Sequence, residues 1–533
     1  MAARAPTFGH YHPRLIEAAV ALNENRLEIA ERILKPHLKK DPFDAAAVRM
    51  LAELAARIGR TRDAENLLRR AIELAPGWVA PKANLAMLLG RTGRPAEAMD
   101  LLDDVFAEEP EDLGHWNLKA ATLGRLGDFA EAIAMYEAVM RRAPRQPRVW
   151  VSYAHLLKTV GRLDEGIAAY RKAIELRPTL GEAWWSLANL KTVRFTDEDI
   201  AAMEQALHAS ELGDEDRLHL EFALGKAMHD AGRVDDAFGH YSRANALRLK
   251  LRPDAPMDVH KLVDRSIREF TAASFSERRG GCDSPDPIFI VGMPRSGSTL
   301  LEQILSSHSL VEGTSELQDI PILAGRSGNY PKSALELSED ERRSLGEEYL
   351  KRTAVQRRTG KPFFIDKLPN NWMFVPFIQL ILPNAKIIDA RRHPLGCCFS
   401  NFRQHFAHGQ TWTYDLEQLG HYYSDYVRLM AHVDAVLPGR VHRVLYERMV
   451  EETEDEVRRL LDYCGLEFEP ACLEFYNTER PVRTPSSEQV RRPIYRDATE
   501  EWRPYEKHLG PLQEALGPVL SAYPEAPDTF AQR

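Results

Sequence analysis

A small set of residues in this 533-residue chain has the types and spacing to hold an anion and move a proton beside it. Arg295, Ser296, Gly297, Ser298 and Thr299 crowd one short stretch, Lys367 and Arg392 each follow an apolar run, and Glu316 stands in Gly313-Thr314-Ser315-Glu316. Guanidinium groups offer forked donors matched to phosphate-like oxygens, and hydroxyls at a helix start complete such a shell. A carboxylate near them could accept a proton.

These side chains need elements to carry them. Ile288-Phe289-Ile290-Val291 is short, apolar and β-branched, which predicts a buried parallel strand. A tight loop, Gly292 to Ser298, follows. Apolar residues then recur at Leu300, Leu301, Ile304 and Leu305, the pattern of a helix with one face on a sheet. Strand, glycine loop and helix together aim loop amides, first-turn amides and the helix dipole at one point, where an anion belongs. The Gly292-x4-Gly297 spacing is that of an NTPase P-loop, but Ser298 holds the position of the essential lysine, which argues against a nucleoside triphosphatase.

Further strands are expected at Phe363–Ile365, Ala385–Asp389 and Val441–Tyr446, and helices at Trp372–Leu382, through Cys397, Phe399 and Phe402, and at Glu452–Tyr463. Strands alternating with helices imply a parallel sheet with its ligand at the carboxyl ends of the strands. Arg295, Lys367 and Arg392 all follow strands. Of the neighbours Arg391 and Arg392, only one can face such a site.

Taken together, the loop Pro294-Arg295-Ser296-Gly297-Ser298-Thr299 resembles the 5′-phosphosulfate loop of sulfotransferases that use 3′-phosphoadenosine 5′-phosphosulfate (PAPS). Arg392 and Ser400, eight residues apart, match the pair that holds the 3′-phosphate in that family. Glu316, 21 residues after Arg295, matches the catalytic glutamate of the protein-tyrosine branch, and Lys367 in Asp-Lys-x-Pro matches its catalytic lysine. Tyr446 resembles a nucleotide-contacting tyrosine. Ser486-Ser487-Glu488-Gln489-Val490-Arg491-Arg492-Pro493 resembles a stretch in which a serine, here Ser487, reaches the sulfuryl group, and Arg492 falls at a donor-binding position of it. Gln318 and Glu501 depart from the branch, which has arginine and lysine there; Arg503 is the substitute cation considered for the latter. The resemblance covers roughly residues 286 to 510. It implies an enzyme that moves a sulfuryl group from PAPS to an acceptor hydroxyl, without a metal, using Glu316, Lys367, Arg295 and Ser487. Tyrosyl peptide, glycan and small molecule all remain open as acceptors. His308, His393 and His405 are read as structural, as are Trp412 and Tyr414.

The N-terminal third carries a repeat. Prolines fall at Pro42, Pro76, Pro110, Pro144 and Pro178, each 34 residues after the last. Gly59, Gly93, Gly127 and Gly161 keep the same step, with Asn25 one register earlier, and Ala30, Ala64, Ala98, Ala132 and Gly166 recur beside them. Trp116, Trp150 and Trp184 share the interval and are read as inter-helix core. This resembles the tetratricopeptide repeat, with two helices per unit stacking into a solenoid whose groove takes a peptide or helix. After Phe195 the register breaks; Gly232 lies 71 residues after Gly161, which predicts an inserted helix and a closing pair.

The expected organisation is therefore all-α followed by α/β: a tetratricopeptide solenoid over residues 1–192, a helical connector over 193–285 ending in a linker from Arg278 to Pro287, and a P-loop-like sulfotransferase domain with a central parallel sheet over 286–533. The repeats are expected to recruit a protein or peptide acceptor or to organise a homodimer. An alternative is a repeat-based adaptor whose second domain is an inactive relic. A net charge of −9 gives no global attraction for nucleic acid. No apolar run reaches the length of a membrane span, and Met1 to Arg14 lacks a signal-peptide core, so a cytoplasmic protein is expected. Five cysteines without metal spacing, Cys282, Cys397, Cys398, Cys464 and Cys472, read as thiols.

Overall fold

The computed structural model describes residues 13–251, 258–276, 280–326, 328–406, 410–482, 484, 487–494 and 499–531. Met1 to His12, Arg278 and Ser486, which figure in the sequence reading, lie outside these residues. Two compact units divide the chain between Leu176 and Arg177.

The first unit is a tetratricopeptide solenoid. Its helix pairs are Pro13–Asn23 with Leu27–Lys40, Ala45–Arg57 with Thr61–Leu74, Val79–Arg91 with Pro95–Glu108, Leu113–Leu126 with Phe129–Arg142, and Pro147–Thr159 with Leu163–Leu176. Ala30, Ala64, Ala98 and Ala132 are fully buried, which lets the helices of neighbouring elements approach closely. Each turn inside a pair needs one residue in the left-handed region, and Gly59, Gly93, Gly127 and Gly161 supply it with φ between 77° and 92°. Asn25 takes the same conformation at φ 56°, as its register position predicts.

The periodic tryptophans are more than core. Trp116 and Trp150 each donate their indole N–H to the carbonyl of the proline six residues earlier, Pro110 at 2.7 Å and Pro144 at 2.8 Å. Trp184, in the second unit, repeats the bond to Pro178 at 2.9 Å. Only Trp184 is buried; the other two are partly exposed. The indole nitrogen must keep a partner wherever the ring is desolvated, and the carbonyl ending the previous element provides it.

The second unit begins with helices Gly181–Ala188 and Asp197–Leu207 and the pair Asp214–Asp230 and Val234–Leu251, which turns at Gly232. The parallel sheet follows. Its strands are β1 (Pro287–Gly292), β2 (Val311–Ser315), β3 (Phe363–Asp366), β4 (Lys386–Arg391) and β5 (Val441–Leu445), in the order β2-β3-β1-β4-β5. All neighbouring pairs are parallel, and β1 lies in the centre, buried along its whole length. The helix Ser298–Ser306 packs Leu301, Ile304 and Leu305 against Ile288, Ile290 and Ile388, so the amphipathic pattern read from the sequence does bury one face on the sheet. On the opposite face Phe289 packs against Tyr349.

Three elements differ from expectation. β2 was not anticipated: Val311-Glu312-Gly313-Thr314-Ser315 is an edge strand with a single apolar residue, so neither an apolar run nor alternation marks it. Tyr446 ends no strand but begins a short helix, Tyr446–Glu451. The expected helix over 372–382 is a 3₁₀ segment, Pro369–Phe374, leading into Val375–Ile381. Among the described residues no helix is long and apolar enough to cross a membrane.

Replacing Gly161 by Ala at φ 85° should destabilise the protein by about 1 kcal/mol, read as a lower first midpoint in a urea titration followed by circular dichroism. Asn25→Gly should leave that midpoint unchanged or raise it.

Candidate active site

The carboxyl ends of β1, β3 and β4 deliver Arg295, Lys367 and Arg392 to one cleft. Arg295 occupies the left-handed region at φ 66°, a rare state for an arginine and one that folded structure must enforce. Gly297 follows at φ 99°, and a Cβ there would stand 2.7 Å from the Tyr446 ring. The loop and Tyr446 therefore close on each other at a distance only glycine permits. Ser296 pins the loop from within, its hydroxyl donating to the Met293 carbonyl at 2.7 Å.

The two arginines are tied together. Arg295 Nε donates to Ser400 Oγ at 3.2 Å, and Arg392 Nη1 donates to the Arg295 carbonyl at 3.3 Å. The Arg392 guanidinium lies 4.8 Å over the Tyr446 ring. Burial pushes the Arg295 guanidinium down to about 10, with Arg392 and then Arg403 adding to the effect and Glu501 opposing it. An anion brought beside such a guanidinium would favour its charged form.

Arg391 has the other role. It is 1% exposed and donates to Asp389 at 3.0 Å and to the Tyr426 hydroxyl at 3.3 Å, while Arg443 Nε donates to the same Asp389 carboxylate at 3.0 Å. Of the two neighbours, Arg392 is the one on the cleft.

At the other end Lys367, 1% exposed, pairs with Glu316, which is 47% exposed. Beside them Asp366 accepts from the Tyr349 hydroxyl at 2.9 Å; full burial pushes its carboxyl well above the usual carboxylate range despite that bond. Thr314 Oγ1 donates to the Ile365 carbonyl at 2.6 Å, fastening the end of β2 just before Glu316.

The cleft thus gathers Arg295, Gly297, Ser298, Thr299, Glu316, Lys367, Arg392, Ser400, Tyr446 and Arg492. It does not gather Ser296, Ser487 or Arg503. Ser487 is fully buried, its hydroxyl without a hydrogen-bond partner among the described residues. Arg503 is exposed, pairs with Glu500 at 2.8 Å and lies over Trp502 at 5.2 Å, so it supplies no cation to the cleft. Gln318 is exposed ahead of the helix Asp319–Gly325.

The histidines are structural. His308 Nδ1 accepts from the Leu310 amide at 3.1 Å and its Nε2 meets the Glu467 carbonyl at 2.9 Å. His393 stacks on Trp502 and His405 on Phe222. Trp412 stacks on Tyr422 with centroids 3.6 Å apart. Tyr414 bonds both the amide and the carbonyl of Phe406, at 3.0 and 2.7 Å, and Phe406 lines the cleft. Tyr414 is thus a support for the wall. Phe406, Phe475 and Thr484 on that wall carry no sequence signal, since each is an isolated residue far along the chain from the loop it faces.

Residues 287–470 match the family model described as Sulfotransferase family, and residues 17–77, 55–122 and 117–181 match tetratricopeptide-repeat models. Residues 287–470 form a sulfotransferase-family domain. A protein of Aquifex aeolicus, described as uncharacterized, is 36% identical over 343 residues, covering 61% of this chain and 45% of its own. A protein-tyrosine sulfotransferase of Drosophila melanogaster is 25% identical over 244 residues, covering 40% of this chain and 46% of its own. The chain therefore spans about half the length of these relatives. Among solved structures, the sulfotransferase domain of the Synechococcus PCC 7002 olefin synthase aligns over 42% of this chain and 88% of its own, at 24% identity and a TM-score of 0.31.

The two neighbouring arginines of the sulfotransferase domain separate structure from site. Arg391→Met leaves Asp389 buried beside one fewer cation and should cost about 3 kcal/mol in chemical denaturation. Arg392→Ala removes a cation from among cations and should cost less than about 1 kcal/mol.

Proposed function

We propose that this protein transfers the sulfuryl group of PAPS to an acceptor hydroxyl. The observation that carries the reading is the convergence of Arg295, Arg392 and Ser400 with the start of the helix Ser298–Ser306 on one cleft, whose other end holds the Glu316–Lys367 pair. The donor set fits a nucleotide with phosphates at two positions. Loop and first-turn amides, Arg295, Ser298 and Thr299 face the 5′ end, and Arg392 and Ser400 the 3′-phosphate, while Tyr446 and the exposed Arg492 border the nucleotide.

When bound, PAPS supplies an activated sulfuryl group: a sulfur–oxygen bond to the acceptor forms as the bond to the 5′-phosphate oxygen breaks, leaving a sulfate ester and adenosine 3′,5′-bisphosphate. Glu316 takes the proton of the acceptor hydroxyl, which its half-exposed position at the cleft allows. Lys367, buried and paired with Glu316, is the side chain that offsets the negative charge gathering on the leaving oxygen. Arg295 and the loop amides do the same around the sulfuryl and 5′-phosphate oxygens. No step here belongs to Ser296, Ser487 or Arg503.

The acceptor is read as a tyrosine of a protein or peptide brought in by the repeats. The similarity to the Drosophila protein-tyrosine sulfotransferase and the solenoid's stacked helix pairs support that extension. Incubating the purified protein with ³⁵S-labelled PAPS and a lysate of its host tests it: label in protein, recovered as tyrosine sulfate after alkaline hydrolysis, is expected, and label confined to glycan or small molecules would replace the acceptor.

Glu316→Gln should lower kcat by about 10² to 10⁴ while leaving the Kd for adenosine 3′,5′-bisphosphate within a factor of two or so, measured by steady-state kinetics and calorimetry. Equal loss of both would remove Glu316 from the role of base.

A further inference from the structure

Glu501 is a carboxylate set into a cleft made for anions. It lines the cleft with Arg392 and Ser400, and with Tyr446 it opposes the depression of the Arg295 guanidinium. Burial would raise its own carboxyl, but Arg403, then His229 and Arg392, hold it below the usual carboxylate range. It is therefore charged at neutral pH.

Its position is fixed from behind. Arg403 pairs with Glu501 and is 14% exposed. Arg403 Nη1 meets His229 Nε2 at 3.1 Å, and His229 Nδ1 meets the Tyr505 hydroxyl at 2.7 Å. His229 comes from the helix Asp214–Asp230 and Tyr505 from the 3₁₀ segment Arg503–His508, so two separate elements brace the pair. The Glu501 side chain keeps 36% of its surface exposed, and the pairing with Arg403 restrains it from turning away from an arriving phosphate.

We propose that Glu501 sets the affinity of the cleft for its nucleotide, offsetting part of the positive field of Arg295 and Arg392 so that a bisphosphate is held less tightly than those cations alone would hold it. The inference rests on the donor reading above and deepens it. Donor and desulfated product share the same anchoring groups, so cations left unopposed would retain the spent nucleotide and slow turnover. Glu501 and Arg403 together are neutral. Glu501→Gln adds one positive charge to the cleft, Arg403→Gln removes one, and the double substitution leaves the sum unchanged.

Calorimetric titration of the full chain with adenosine 3′,5′-bisphosphate at fixed ionic strength, with the melting temperature of each variant, tests this. Glu501→Gln should bind on the order of tenfold tighter, Arg403→Gln weaker by a similar factor, and the double variant close to wild type. If Glu501→Gln does not fold, the reversal between Arg403→Gln and the double variant reads the same field. Weaker binding by all three would mean that the pair only supports the fold, and unchanged binding by Glu501→Gln would mean that its charge does not reach the ligand; either overturns the proposal. Absence of binding by the wild type would instead overturn the donor reading on which it rests.

Discussion

The structure depends on like charges held together. Burial, and after it the charges of Arg392 and Arg403, brings the Arg295 guanidinium down to about 10. Nothing in a folded chain keeps guanidinium groups so close without a scaffold that prevents them from parting. Here the scaffold is a parallel sheet whose strands end side by side, so that Arg295 after β1 and Arg392 after β4 come to the same edge.

That scaffold is itself stiffened by buried polar groups. Asp389 takes Arg391, Arg443 and Tyr426 together at the heart of β4, which fixes the strand so that the next residue, Arg392, turns toward the cleft. Tyr349 and Asp366 do similar work at the end of β3 before Lys367. The pair Asp214–Asp230 and Val234–Leu251 contributes as well: Asn245 donates to the Phe402 carbonyl at 3.0 Å, and Phe238 stacks on His508 at 4.3 Å. Helices whose sequence reads as a closing repeat are, by their contacts, a brace for the segments that carry Arg403 and Glu501.

Much of this was legible in the sequence because it is local. A 34-residue step in proline and glycine follows from turn geometry that few residues tolerate, and Asn25 in the left-handed state shows the constraint at work on a residue other than glycine. The strand, loop and helix from Pro287 to Ser306 were readable for the same reason. What escaped depends on distance along the chain. β2 is recognisable as a strand only once β3 lies beside it. Glu501 stands 98 residues from Arg403, and no local pattern joins them. Ser487 matched by position in a motif and Arg503 was considered as a substitute for the lysine absent at Glu501, yet neither is among the residues lining the cleft, because proximity in sequence to lining residues such as Val490 and Glu501 does not fix where a side chain points.

The most direct measurement is a crystal structure of the full chain with adenosine 3′,5′-bisphosphate. Density for the 5′-phosphate against the amides of residues 297 to 299 and Arg295, with the 3′-phosphate against Arg392 and Ser400, is the expected result. Nucleotide bound outside this cleft, or no density in it at saturating nucleotide, would contradict the claim that these converging cations are a donor site.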